Sequence, residues 1–246
     1  MIIKEQKKGH IHPITQLLAE SILIFKDLGF DVVEGPEIET EYYNFDALNT
    51  LHSHPARDMQ DTFWIKPRNK NLLLRSQVSA IQVRYMEKHK PPFKIICAGR
   101  VFRNEATDAT HEAQFYQLEG LAVSRDMSLA NLKGIIHHFF QNLFGKKVEI
   151  RFRPSYFPFV EPGVEVDVSC FKCVGKGCSM CKGTGWIEVM GAGMVHPEVF
   201  KSAKVDSKKW KGLAFGMGFD RLVMLKYGIE DIRLLYSGDL RFIKQF

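Results

Sequence analysis

The stretch from Arg100 to Gly120, RVFRNEATDATHEAQFYQLEG, constrains the fold of this chain more than any other. Ile95, Ile96, Val101 and Phe102 lead into it, and Phe115, Tyr116, Leu118, Leu121 and Val123 lead out. Such β-branched and aromatic residues suit strands. Between them, Asn104 to Glu112 is rich in Asp, Thr, Asn and Ala, which suits a loop. The pattern predicts two antiparallel strands joined by a long ordered loop. Side chains in a strand alternate, so Arg103 and Glu105 share one face, as do Gln117 and Glu119. One sheet surface then carries an arginine, two carboxylates and an amide. The competing reading is a solvated sheet face, and the strongly apolar flanks count against it.

The chain has 246 residues, enough for a large domain with a sizeable core. No apolar run reaches the ~18 residues of a membrane span. The opening MIIKEQKKGH lacks the apolar segment of a signal peptide. A cytoplasmic protein with no membrane partner is the expectation. The formal net charge of +6 allows an anionic partner without demanding one. Of five cysteines, Cys97 stands alone in an apolar strand pattern and reads as a buried thiol.

Apolar residues at 14, 17, 18, 22, 25 and 28 predict a first helix, closed by Gly29. Phe30 to Val33 predicts a strand that Gly35-Pro36 breaks, and Tyr43 to Leu48 a short helical piece. His52 and His54 read as polar loop residues. Leu72 to Arg75 predicts a short strand, and Ser76 the N-cap of a helix that stops before Pro91-Pro92. Ser79 and Gln82, three apart, fall on one face of that helix. Ser128 to Phe144 is an amphipathic helix and Val148 to Arg153 a strand. Phe157 and Phe159 flank Pro158 and project the same way if the segment is extended. An edge-to-face pair there would cradle a substrate ring or fill the core. The glycine-containing run GLAFGMGFDRLVML predicts strand, glycine turn, helix. Asp220-Arg221 follows Gly216 and Gly218 where a dinucleotide fingerprint needs a third glycine, so that motif is rejected.

Val164 to Ser169 and Trp186 to Met190 alternate as strands around CFKCVGKGCSMCKGTG. Cys170, Cys173, Cys178 and Cys181 form C-x2-C-x4-C-x2-C, a C-x-x-C-x-G-x-G unit repeated with a period of eight. Four thiolates suit one tetrahedral ion, zinc before an iron–sulfur cluster. Four protein ligands leave no open position for water, so the metal would be a structural staple on a hairpin insertion spanning 168–187.

The string F-R-x-E, then F-x-Q-L-E-G, resembles motif 2 of the class II aminoacyl-tRNA synthetases. ATDATHEAQFYQLEG narrows the resemblance to the α subunit of the phenylalanine enzymes. The first helix and the strand ending at Pro36 resemble motif 1, which in that family builds an interface. G-x-G-x-D-R, from Gly216 to Arg221, resembles motif 3. The cysteine units resemble those of DnaJ-type chaperones and zinc ribbons, which implies metal alone. The likeness covers essentially all 246 residues and implies an α+β fold, an antiparallel sheet of about six to eight strands flanked by helices. One catalytic domain over 1–246 is expected, without the family's N-terminal tRNA-binding arm.

The resemblance implies phenylalanine activation with ATP and magnesium, then transfer to tRNA(Phe), alongside a β subunit in an α2β2 heterotetramer. Arg103, Glu105 and Arg221 are the implied catalytic residues, with His111, Gly216 and Gly218 also contacting ATP. Trp64, Gln77, Ser79, Gln82, Gln117 and Glu119 would surround the amino acid. Phe157, Phe159, Val160 and Ala214 would enclose its ring. Gln77 stands where the family writes His in LLRTHTS, which removes a titrating group. The rival readings are a paralogue that does not charge tRNA and a zinc-containing nucleic-acid-binding module.

Overall fold

A computed structural model describes residues 9–50, 62–67, 70–145, 147–170, 172–178 and 180–246. The loop histidines His52 and His54 lie outside the described residues. In chain order the elements are α1 (Pro13–Asp27), β1 (Asp31–Val32), β2 (Ile38–Thr40), α2 (Glu41–Asn44) and a 3-10 turn, Asp46–Leu48. Then come β3 (Leu72–Leu74), α3 (Ala80–Lys88), β4 (Phe93–Phe102), β5 (Gln114–Ser124) and α4 (Leu129–Phe144). β6 (Ile150–Pro154), β7 (Val160–Ser169), β8 (Trp186–Val195), α5 (Pro197–Ser202), β9 (Lys211–Gly218) and α6 (Phe219–Tyr227) follow. A 3-10 turn, Ile232–Leu235, and α7 (Leu240–Ile243) close the chain.

Seven strands form one sheet in the order β1-β4-β5-β9-β8-β7-β6. Among the described residues only β1 pairs in parallel, with β4; the other neighbours are antiparallel. β2 and β3 make a separate antiparallel pair. The two strands read around Arg100–Gly120 are β4 and β5, with Gly99 opposite Gln117 and Phe102 opposite Gln114. Among the described residues, no helix is long and apolar enough to cross a membrane.

The period of two divides the sheet's faces. Leu118 and Ala122 of β5 and Leu213, Phe215 and Met217 of β9 belong to the main core beneath α1, α4 and α6. Phe25 of α1 stacks on Phe139 of α4 at 4.6 Å and on Phe215 at 5.2 Å between centroids. Burying each such ring is worth about 1.5–3 kcal/mol. Ser128 caps α4 through a capping box with Asn131, which the sequence reading did not single out. The opposite face carries Leu121, Val123 and Ala214, packed with Val160, Val195 and the short elements near Leu48 and Val83. Cys97 is buried, and burial pushes its thiol up to about 11.

Three local expectations are corrected. Ser76 is not a helix N-cap: α3 starts at Ala80, and Ser76 instead pairs with Asn44, whose Nδ2 donates to Ser76 Oγ at 2.9 Å. Phe157–Val160 is a turn rather than an extended run, closed by Val160 N–H to Phe157 O at 3.3 Å. No glycine turn separates β9 from α6. Gly216 and Gly218 are strand residues, opposite Glu119 and Gln117, and the helix begins at the next residue.

Candidate active site

The second face of the sheet is hollowed into a cavity of about 650 Å³ over β5, β8 and β9, a size usual for small-molecule sites. Its lining includes Gln77, Ser79, Gln82, Arg103, Gln117 and Glu119 on one side. Phe157, Phe159, Val160, Ala214 and Gly216 line the other. Eleven of the residues singled out from sequence thus meet in one hollow.

Its polar end is built by the start of α3 lying across β5. Glu119 is 6% exposed and accepts from Ser79 Oγ at 2.6 Å and from Gln82 Nε2 at 3.1 Å. Those donors are three positions apart, at the N-cap and in the first turn of α3, so both reach one carboxylate. Burial pushes Glu119 up to about 7, against the pull of these hydrogen bonds and of Arg103 and Arg75. Gln117 Oε1 accepts from Val78 N–H at 3.2 Å, and Gln77 Nε2 donates to the Asn44 carbonyl at 3.0 Å. These amides are therefore oriented before any ligand arrives.

Arg103 follows the last residue of β4. Its Nε donates to the Ser76 carbonyl at 3.2 Å, and its guanidinium lies 5.1 Å from the Phe115 ring centroid. Among the described residues it has no ion pair. Burial lowers its pKa, while the charges of Glu105 and Glu119 act the other way. A desolvated guanidinium without a direct carboxylate partner is a strong anion receptor.

The apolar end is an aromatic wall. Phe157 and Phe159 are stacked, 6.0 Å apart at 25°, rather than edge to face. The turn that brings them in, not strand alternation, sets this geometry. Gly191 and Gly216 are opposite each other beneath the cavity. A Cβ on Gly191 would lie 2.9 Å from Phe157 Cζ, and one on Gly216 3.0 Å from Glu119 Cγ. Side chains there would displace the wall or the carboxylate. Sequence reasoning passed over Thr50, Tyr156, Pro158, Gly191, Ala192 and Phe215, which also line the hollow. The Gly-x-Gly of β8 was the one available signal.

Other singled-out residues lie off the cavity wall. Trp64 forms a bridge with Leu73 of β3. His111 is exposed in the β4–β5 loop, 3.0 Å from Asp108. Asp108 also accepts from Thr110 and His111 N–H, which hold its carboxyl well below the usual range. Arg221 is exposed in the first turn of α6, with no hydrogen bond or ion pair among the described residues. Its neighbour Asp220 is buried and accepts from Tyr116 N–H and Tyr236 O–H. Burial pushes Asp220 up to about 6, against these bonds. It staples α6 to β5 and the chain end, which sets where Arg221 emerges.

The cysteine hairpin joins β7 and β8. The four sulfurs lie within 4.8 Å of one another, with Cys170–Cys178 at 3.7 Å and Cys173–Cys181 and Cys178–Cys181 at 3.8 Å. Tetrahedral Zn–S bonds of about 2.3 Å require sulfurs about 3.8 Å apart. The two knuckles are conformational copies: φ is positive at Val174, Gly175 and Gly177, and again at Lys182, Gly183 and Gly185. Gly177 N–H points at Cys173 Sγ, and Gly185 N–H at Cys181 Sγ. The donor set and its spacing fit a thiolate-bound ion.

This sheet, with a polar carboxylate–arginine end and an aromatic wall, defines a class II tRNA synthetase core, and the family model of that description, "tRNA synthetases class II core domain (F)", matches residues 1–246. Two relatives described as phenylalanine–tRNA ligase alpha subunits come from Alkaliphilus oremlandii and Bacillus licheniformis. The first is 56% identical over 243 residues, covering 99% of this chain and 71% of its own. The second is 57% identical over 242 residues, covering 98% and 70%. The chain belongs to the family of phenylalanine–tRNA ligase alpha subunits. The crystal structure of pyrrolysyl-tRNA synthetase from Desulfitobacterium hafniense shares the fold, with a TM-score of 0.68 at 17% identity over 93% of this chain and 74% of its own.

Proposed function

We propose that this chain activates phenylalanine with ATP to the aminoacyl adenylate and transfers the acyl group to the 3′ end of tRNA(Phe). The observation that carries the reading is the pairing, in one cavity, of an aromatic wall with a buried carboxylate and an unpaired arginine. Relatives more than half identical along nearly the whole chain support it. As a unit, 1–246 is read as one catalytic domain with a metal hairpin inserted at 168–187.

In this reading the ring enters between Phe157, Phe159 and Val160 over Ala214. Glu119 meets the ammonium, and Ser79, Gln77, Gln82 and Gln117 orient the carboxylate end. Trp64, bridged to Leu73 of β3, would border the amino-acid site. Arg103 neutralises the α-phosphate as the carboxylate attacks it in line. Arg221 and His111 reach the phosphate tail, and Gly216 and Gly218 let the nucleotide approach β9 closely. Little covalent work falls to the protein, so positioning and charge dominate. Glu105 has no hydrogen bond or ion pair among the described residues and fits a magnesium ligand or a contact to the adenine amino group. Magnesium supplies further neutralisation of the phosphates.

Phenylalanine-dependent ATP–pyrophosphate exchange, on this chain alone and with a β subunit added, tests the reading. We read the chain as the α subunit of an α2β2 heterotetramer working in the cytoplasm; exchange only with the partner supports an active fold that depends on that interface, and none in either case argues for a paralogue that does not charge tRNA. The pH profile of the same assay tests Glu119. Its carboxyl is ionised above about 7 and neutral below, and only the ionised form attracts an ammonium. The KM for phenylalanine should rise as pH falls below that value, by about tenfold per unit at the limit. Glu119→Gln should raise KM and flatten the profile; a wild-type profile unchanged from pH 8 to about 6 would sink the role.

Zinc is the ion proposed for the four cysteines, because closed thiolate sites suit it. Modifying the thiols should release about one equivalent of zinc per chain, and Cys178→Ser should abolish that release and open the hairpin to protease. Visible absorption from bound iron would overturn the assignment.

A further inference from the structure

We infer that the cysteine hairpin is also an RNA-docking knob whose lysines grip the phosphate backbone of the bound tRNA, an inference that takes the identity of the RNA from the proposed function. The hairpin's charge is one-sided. No Asp or Glu occurs between Val168 and Ile187, while Lys172, Lys176 and Lys182 do. All three lysines are exposed. None has a side-chain hydrogen bond or ion pair among the described residues. Among the described residues several exposed arginines are paired, as in Arg100–Glu37, Arg233–Asp231 and Arg241–Asp239; unpaired lysines are common, and what sets these three apart is that no carboxylate shares their segment. Three unpaired cations on a knob held rigid by its own thiolate cluster suit a polyanion, since fixed charges lose little entropy on binding.

A second observation is independent of charge. Val174 is 82% exposed and holds φ at +50°. The knuckle imposes that conformation, since Lys182 at the same place in the second repeat has φ +51°. A β-branched residue is among the worst choices for left-handed backbone, and glycine or asparagine would relieve the strain. An apolar side chain exposed there, two residues from Lys172 and from Lys176 in sequence, fits a contact with ribose edges between phosphates. Strain that a fold tolerates at an exposed tip points to a contact made there.

The hairpin's position suits the task. Val160, at the start of β7, lines the cavity, and the hairpin follows the other end of that strand. Ten residues of strand span about 30 Å. The knob is therefore remote from the adenylation chemistry, and removing its charges should affect RNA alone.

The test replaces Lys172, Lys176 and Lys182 with glutamine together, in the full chain with its partner subunit. Affinity for a tRNA(Phe) transcript is measured against salt, beside zinc content and phenylalanine-dependent exchange. The triple variant should bind RNA at least about tenfold more weakly, with a log–log salt slope shallower by about 2–3, and keep zinc and exchange. Val174→Asn should weaken RNA binding without changing the slope. Unchanged affinity and slope in the triple variant would overturn the inference. So would loss of the partner subunit with the slope retained, which would assign the knob to a protein interface. Absent exchange in the unaltered protein would count against the proposed function alone, since the RNA titration still decides the hairpin.

Discussion

Alanine in place of Arg103 is expected to slow phenylalanine-dependent ATP–pyrophosphate exchange by about 10²–10³-fold, the usual cost of deleting one preorganised group aimed at developing charge. Among the described residues the guanidinium spends a single hydrogen bond on the protein, to the Ser76 carbonyl, and the side chain lines the cavity with its other donors uncommitted. Its burial has been achieved without a direct carboxylate partner among the described residues, which leaves it poised for an anionic ligand. Removing it should therefore lower kcat with little change in the KM for phenylalanine, because the proposed function assigns the amino acid's ammonium end to Glu119. Arg103→Lys should recover only part of the rate, since an ammonium restores the charge but not the planar fork. Circular dichroism and the thermal midpoint separate this from misfolding. An alanine variant that folds and exchanges at the wild-type rate would remove Arg103 from the chemistry.

The readable parts of the site were those where one local rule decides the geometry. Strand alternation puts Gln117 and Glu119 on one face whatever the rest of the chain does, and the 3.6-residue period brings Ser79 and Gln82 to the same carboxylate. The cysteines were legible because thiolate spacing and repeated glycines leave few conformations open. Tertiary context decided the remainder. Ser76 carries a cap-forming side chain, but buried Asn44 claims it from another part of the chain. Phe157 and Phe159 converge through a turn that no alternation pattern announces. Asp220 received no role from the sequence beyond its place in G-x-G-x-D-R. It is a buried acceptor for Tyr116 and Tyr236, residues 104 and 16 positions away in sequence. Gly191 mattered because Phe157 comes within reach of its missing Cβ, and that approach exists only once β8 lies beside β7 and β9.

Ala214 should set how deep a ring can enter, and changes there should act in opposite directions by comparable amounts. It pairs with Leu121 on β5 and Gly193 on β8, so backbone on both sides holds its Cβ in the floor of the cavity. It is buried in one cluster with Val160, Val195 and Leu121, and β-branched side chains such as the two valines yield little to a larger group. Two added methyl groups in Ala214→Val must therefore take space from the ligand. Overpacking of that kind costs about 1–3 kcal/mol, which raises the KM for phenylalanine by about 10–100-fold, with little effect on kcat at saturation. Ala214→Gly removes the floor instead. It should admit phenylalanines bearing a para substituent, with discrimination relaxed by about 10–200-fold, the range that one methylene commands in an apolar pocket. The cost to phenylalanine itself should be small. Both results follow only if the ring lies against the aromatic wall with its para position towards β9. Equal exchange with phenylalanine and its para-chloro derivative in wild type, or unchanged discrimination in both variants, would place the ring elsewhere in the cavity.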